Sequence, residues 1–287
     1  DAVNSIERTH EPYFMLEDAP PGTSAEAAAA VAAHRVLKSI YADPTLHALF
    51  DAQLQAHLNA IPDGPGKDAG IALGLGCANA MMDLRADDGS DVMMDYHTGK
   101  KAGMWIPTFP DFTNPLNPDW PDVTPWTLLN AGQFRPDGPA GYPKLSNLLR
   151  SDEYAAAFNE VKSLGDLHST TRTDEQTLIA RFWANDRNGT YKPPGHLNAI
   201  TQTIAANQGN TFSENARLFA LLNMALADAG VVAWDCKYTT KLDLWRPITG
   251  IRNPDDDHNP QTEADPNWEP LSNDPAVNGF TPPFPAW

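Results

Sequence analysis

The stretch WDCKYTTKLDLWRP, residues 234–247, sets Lys237 and Arg246 beside Trp234 and Trp245 at the end of a long apolar run. A lysine that closes a buried helix is costly unless its ammonium meets an anion or an opening to water. Arg246 precedes Pro247, which cannot continue a helix, so the arginine stands at an element boundary. A guanidinium there, flanked by Trp245, suits a planar multi-oxygen anion through paired N–H bonds. From residue types alone, two readings stand side by side. The pair is half of an oxyanion site, or it is a snorkelling lysine and a surface arginine.

The elements that must position this pair are helices. Thr23-Ser-Ala-Glu26 reads as a capping box ahead of AAAAVAAHRVLKSIY, and Asp43-Pro44 as an N-cap with proline at N1 for TLHALFDAQLQAHLNAI. A third helix is expected from about Lys67 to Arg85, where Gly70, Gly74 and Gly76 suggest close packing. Residues 106–143 hold nine prolines and read as a long wrapping loop. Helical patterns return at 152–163, at TLIARFWAND behind the box Thr173–Gln176, at HLNAITQTIAAN behind Pro194, and behind Thr211–Glu214. That last helix is apolar almost all round, which places it in the core. The expectation is an all-α protein of helical bundles with long Pro-rich loops, one domain over residues 1–287.

With 20 basic against 37 acidic residues and a net charge of −17, the chain lacks the basic footprint that nucleic acid or an anionic membrane surface requires. No run of 18 apolar residues exists, so no membrane span is expected. Two cysteines, Cys77 and Cys236, lie in apolar helical contexts and read as buried thiols; two are too few for a disulfide scaffold. Strong acidity is common in secreted proteins, and a secreted or periplasmic location is expected. The first residues read like the end of a helix and the last, FTPPFPAW, stop without a closing element. The chain is expected to be a piece of a longer polypeptide, incomplete at both ends.

Other candidates are weaker. The eight histidines form no HExxH or HxxxH pair, and His34, His47 and His57 have no acidic partner at ligand spacing. The acidic runs 87–91 and 255–257 miss the twelve-residue calcium-loop pattern and read as solvated loops. Pro193-Pro194-Gly195-His196 has an anion-binding look but reads as the start of a helix. No G-x-S-x-G elbow is present, and neither cysteine has the basic neighbour of a nucleophile.

The segment ADAGVVAWDCKYTTKLDLWRPITGIR resembles the first signature of the vanadium-dependent haloperoxidase and PAP2-type acid phosphatase superfamily, a lysine followed after a short spacer by Arg-Pro. DAVNSI, SAEAAAAVAAHRVL, STTRTDEQTLIARFWAND, PPGHLN, SENARLFALLNMALADAG and TPPFPAW extend the likeness along much of the chain, toward the bacterial haloperoxidase-like branch. The resemblance implies two packed four-helix bundles in the complete family fold. It also implies a site in which a lysine, two arginines, Ser-Gly and two histidines surround vanadate or phosphate. On that basis Lys237 and Arg246 are catalytic oxyanion donors, with Lys241 in reserve, while Trp234 and Phe284 line a halide or substrate pocket.

Two departures matter. The usual signature leaves six residues between lysine and arginine, about 20° apart on a helix; here eight intervene, which gives about 180° on a straight helix. Lys241 and Arg246 are about 140° apart. The pair can meet only if the helix ends near Tyr238 and Thr239-Thr240 begin a loop. Second, the Ser-Gly-His loop, the second arginine and the axial histidine that bonds the metal are expected beyond Trp287, from a continuation or a second chain. The implied activity is halide oxidation by hydrogen peroxide on vanadate, to halogenate a small organic substrate. The alternatives are phosphomonoester hydrolysis through phosphohistidine and a non-catalytic helical scaffold.

Overall fold

A computed structural model describes residues 1–108, 112–186, 190–240, 244–253 and 257–273. These residues form helices joined by long loops, with no β-strand among them and two isolated bridges, Met104 to Leu244 and Asp166 to Pro270. The all-α expectation holds. The chain divides into two compact units, residues 1–88 with 204–221, and residues 89–203 with 222–287.

The first unit contains α1 (Ala2–Glu7), α2 (Ala25–Ile40), α3 (Pro44–Asn59) and α4 (Pro65–Leu84). The N-cap of α2 differs from expectation. Ser24, one residue later, is the cap and accepts from Ala27 N at 3.1 Å, while the Thr23 hydroxyl donates to Pro20 O at 2.6 Å. Asp43 caps α3 as expected, accepting from Thr45 N at 2.8 Å ahead of Pro44. Helix α4 presents Gly70 and Gly74 to the backbone of α2, where a Cβ would collide with Ser24 O and Ala28 O respectively. Gly76 meets nothing and has no such role. Ala2, Ala28 and Cys77 form the buried centre, flanked by Ile6, Met15, Ala32 and Leu73. His34 has an acidic partner that spacing did not reveal, Asp51 of α3 at 2.7 Å, which Lys38 also reaches at 2.8 Å.

The second unit contains α5 (Leu145–Leu149), α6 (Asp152–Leu164), α7 (Asp174–Trp183) and α10 (Pro247–Arg252). Thr173 and Gln176 form the expected capping box on α7. Helices α8 (Lys192–Gln208) and α9 (Phe212–Tyr238) contribute residues to both units, and the α9 start is capped by Thr211 and Glu214, with Thr211 N donating to Glu214 Oε2 at 2.7 Å. A small core joins α6 to α10 through Phe158, Ile248, Ile251 and Trp268, with Tyr154 against it.

Two expectations are corrected. Helix α9 is not the centre of an apolar core: its buried residues are Asp228, Val231, Asp235 and Lys237, and Phe212 and Leu221 are exposed. Apolar composition says which residues could be covered, not whether a neighbour covers them. The same helix is long and apolar enough to cross a bilayer by length and composition, which a search for unbroken apolar runs misses. And Asp257 is buried rather than solvated, accepting from Asn259 N at 2.7 Å and Thr262 Oγ1 at 2.8 Å.

The proline-dense segment is the wrapping loop expected, and acids of α9 hold it down. Asp228 accepts from Trp126 N at 2.6 Å, Thr127 N at 2.8 Å and the Thr127 hydroxyl at 2.5 Å. Val123 and Ala131 of the loop close over Val231. Because Gly74 lets α4 touch α2 backbone to backbone, Gly74→Ala should force them apart and cost about 1–3 kcal/mol, read as a lowered midpoint in thermal unfolding. Gly76→Ala, in open space, is the control and should leave the midpoint unchanged or raise it.

Candidate oxyanion site

Helix α9 ends at Tyr238, and Thr239 closes it with its N–H to Asp235 O at 3.0 Å and its hydroxyl to the same carbonyl at 2.8 Å. The chain therefore leaves the helix between the two cations, and the 180° separation of a continuous helix does not arise. Arg246 is the N-cap of α10, extended at φ −71° and ψ 154°, as the residue before a proline must be. Trp245 fixes that position from both sides: its N–H donates to Gly103 O at 2.7 Å and its indole to Tyr154 Oη at 3.0 Å.

Lys237 and Arg246 are both buried, at 5% and 4% exposure. They lie within electrostatic reach of each other, and burial followed by the Arg246 charge pulls the Lys237 ammonium down to about 8. Burial likewise lowers Arg246 to about 10, so both remain cationic at neutral pH. Asp186 acts in the opposite direction on Lys237. That carboxylate also stands 3.7 Å from Lys192 Nζ, whose ammonium donates to the Asp186 carbonyl at 2.9 Å. Among the described residues, Arg246 Nε and Nη2 are buried with no hydrogen-bond acceptor. Two orphaned donors on one buried guanidinium are a costly arrangement, which an oxyanion in their plane would resolve.

Trp234, expected as a pocket residue, lies under the cation. The Lys237 ammonium sits 3.9 Å from its ring centroid, and its indole donates to Leu116 O at 3.1 Å. The Tyr238 hydroxyl donates to the same carbonyl at 2.9 Å. Arg135 grips Asp235 with two bonds, Nε at 2.6 Å and Nη2 at 2.5 Å, and holds that carboxyl below its ordinary range. The loop thus clasps the last turns of α9 at residues 228, 234, 235 and 238. His196 stacks on Phe182 and Trp183, with ring centroids at 4.6 and 5.5 Å, and its Nδ1 meets the Asn185 side chain. Lys241 and Phe284 lie outside the described residues. Asp186, Tyr238 and the Arg135–Asp235 pair escaped sequence reasoning. Asp235 is adjacent to the motif, but only the fold brings Arg135 to it.

Replacing the orphaned guanidinium by an apolar chain of similar length removes its desolvation cost. Arg246→Met should stabilise the anion-free protein by about 1–3 kcal/mol in denaturant unfolding while abolishing sulfate binding by calorimetry. Sulfate keeps one charge across neutral and alkaline pH, so pH acts through the protein. Its affinity should hold below about 8 and fall above it as Lys237 loses its proton. Without anion, the folded chain sheds this proton before the unfolded chain does. Stability should therefore rise with pH between about 8 and the ordinary lysine value of 10.5.

A family model described as "VCPO second helical-bundle domain" matches residues 217–287, the segment that carries Lys237 and Arg246. Vanadium chloroperoxidase of Curvularia inaequalis is 35% identical over a match covering 50% of this chain and 25% of that protein. The chain thus spans a quarter of that curated relative. A bacterial vanadium-dependent iodoperoxidase of known structure shares the fold at a TM-score of 0.77 and 22% identity, over 100% of this chain and 68% of its own. Residues 217–287 are thus similar to that helical-bundle domain and part of the chain to the curated chloroperoxidase, while the solved neighbour shows the fold.

Proposed function

We propose that the chain carries half of a vanadate site in an enzyme that oxidises halide with hydrogen peroxide and so halogenates a small organic substrate. The observation that carries this reading is Arg246, buried with Nε and Nη2 unmatched beside the buried Lys237 ammonium. The donor set fits the group: two buried cations in electrostatic reach of each other, one with two unpartnered N–H groups, and one carboxylate, Asp186, acting on Lys237. Lys237 and Arg246 would hold the non-bridging oxygens and balance their charge. Bound vanadate would supply a Lewis-acidic centre at which peroxide is activated toward halide.

Lys237 has a second task in this reading. An ammonium lowered to about 8 gives up a proton more readily than an ordinary lysine, so it can donate to an oxygen that gains negative charge. Trp234, fixed by Leu116 O, holds that ammonium in place from beneath and presents apolar surface beside it. The remaining groups, a Ser-Gly-His loop, a second arginine and an axial histidine, are proposed to come from polypeptide outside these 287 residues, as a continuation or a second chain.

The full-length protein with orthovanadate, peroxide and bromide should brominate a dimedone-type acceptor, with loss of at least about a hundredfold in Arg246→Ala. Release of phosphate from a chromogenic ester, inhibited by vanadate and without any bromination, would assign the site to phosphomonoester hydrolysis instead. Neither activity, with no vanadate bound, would leave a non-catalytic helical scaffold.

A further inference from the structure

Of the seven methionines, two are exposed: Met93 at 92% and Met94 at 50%. The other five, Met104 among them, are half-buried. The exposed pair lies in a stretch without regular structure, just after the turn that Val92 N closes on Gly89 O at 3.3 Å. Two residues beyond Met94, Tyr96 meets the Tyr238 ring edge-on at 5.0 Å, and Tyr238 directly follows Lys237. Two residues of extended chain span at most about 7 Å. Met94 is thereby tethered close to the end of α9 that carries Lys237, and Met93 beside it stands almost wholly in water.

A thioether is a soft, polarizable nucleophile that peroxide or hypohalous acid converts to the sulfoxide, and access to the sulfur governs how readily. The competing sulfurs of this chain are less accessible. Met104 lies with its sulfur and terminal methyl against Gly99, where an added Cβ would collide with both. Cys77 is buried and Cys236 half-buried, and burial pushes both thiols up, which keeps them in the less reactive protonated form. A methionine in an exposed stretch takes an oxygen with little loss of packing. At Met104 the same oxygen would set a polar group beside the bridge to Leu244, two residues from Arg246.

We propose that Met93 and Met94 form a sacrificial oxidant site, whose thioethers take up hypohalous acid in the water around the end of α9 and become sulfoxides ahead of the other sulfurs of the chain. The source of that oxidant rests on the halide-oxidising reading above; the order of reaction does not. The sulfur attacks the halogen and hydroxide leaves; water then adds to the sulfur, halide departs and one net proton is released. Sulfur loses two electrons and the halogen gains them as halide. Methionine sulfoxide is reducible to the thioether, so the site is renewable.

The test adds one equivalent of reagent hypobromous acid to the full-length protein, quenches with free methionine and locates the sulfoxides by peptide mass spectrometry. Sulfoxide at Met93 and Met94 should exceed that at Met104 about tenfold, as access to the oxidant requires. In Met93→Leu/Met94→Leu, two exposed substitutions, the same dose should raise oxidation of Cys236 and of the five remaining methionines severalfold. Sulfoxide spread evenly in the wild-type protein, protection of Met93, or a double variant whose other sulfurs are oxidised no more than before would overturn the proposal. Turnover with vanadate, peroxide and bromide separates it from the enzyme reading. If the protein brominates but Met93 stays unoxidised, the oxidant site fails while the enzyme stands. If reagent oxidises Met93 first but no bromination occurs, the enzyme reading falls and the reactive pair stands.

Discussion

Two cations buried within reach of one another are the constraint around which the second unit is arranged. Lys237 and Arg246 repel, both are taken out of water, and two guanidinium nitrogens have no acceptor. Nothing in protein stability recommends this; burial of like charge is tolerated where a ligand of opposite charge completes it. The surroundings hold each cation by the parts that do not touch the anion. Trp245 is pinned by Gly103 and Tyr154, which fixes Arg246, and Trp234 supports Lys237 from below.

The loop between the two units' helices is part of that support. Its prolines keep it from forming regular structure, so its backbone N–H and C=O groups are free to bond elsewhere. Helix α9 supplies the partners. Asp228 takes two loop N–H groups and a hydroxyl, Asp235 takes Arg135, and Trp234 and Tyr238 share one loop carbonyl. Buried carboxylates such as these are costly unless they are hydrogen-bonded. Here burial tends to raise Asp228, and the Thr127 hydroxyl with the backbone N–H groups more than offsets it, holding the carboxyl low. The turns that end at Lys237 are thereby bonded to the loop, while the earlier turns leave Phe212 and Leu221 exposed.

Capping residues were readable because capping is local chemistry. Asp43 with Pro44, Thr173 with Gln176 and Thr211 with Glu214 each satisfy donors within three residues, and the helices begin where those residues stand. At Thr23-Ser24 two neighbouring hydroxyl residues could each cap, and the helix begins at Ala25 with Ser24 as its cap. Gly70 and Gly74 were readable as packing positions, but Gly76, two residues past Gly74 and so on another side of the helix, was not distinguishable by type. The buried Asp257 and the Asp51 partner of His34 lay beyond reach, since each depends on a neighbour brought in by folding.

What the sequence by itself determined is the helical class, most helix starts, the unstructured course of the proline-rich loop, and the identity of Lys237 and Arg246 as the cations worth watching. It also showed that they could meet only if the helix stopped near Tyr238, since spacing on a continuous helix forbids it. The tertiary structure decided the rest: that the helix does stop there, that both cations are buried together, and that Trp234 faces the ammonium. It also decided that Asp186 acts on Lys237 and that Arg135 pairs with Asp235. The physical reason is that charge, type and spacing along a chain are local properties, whereas burial and the absence of an acceptor are properties of everything packed around a group.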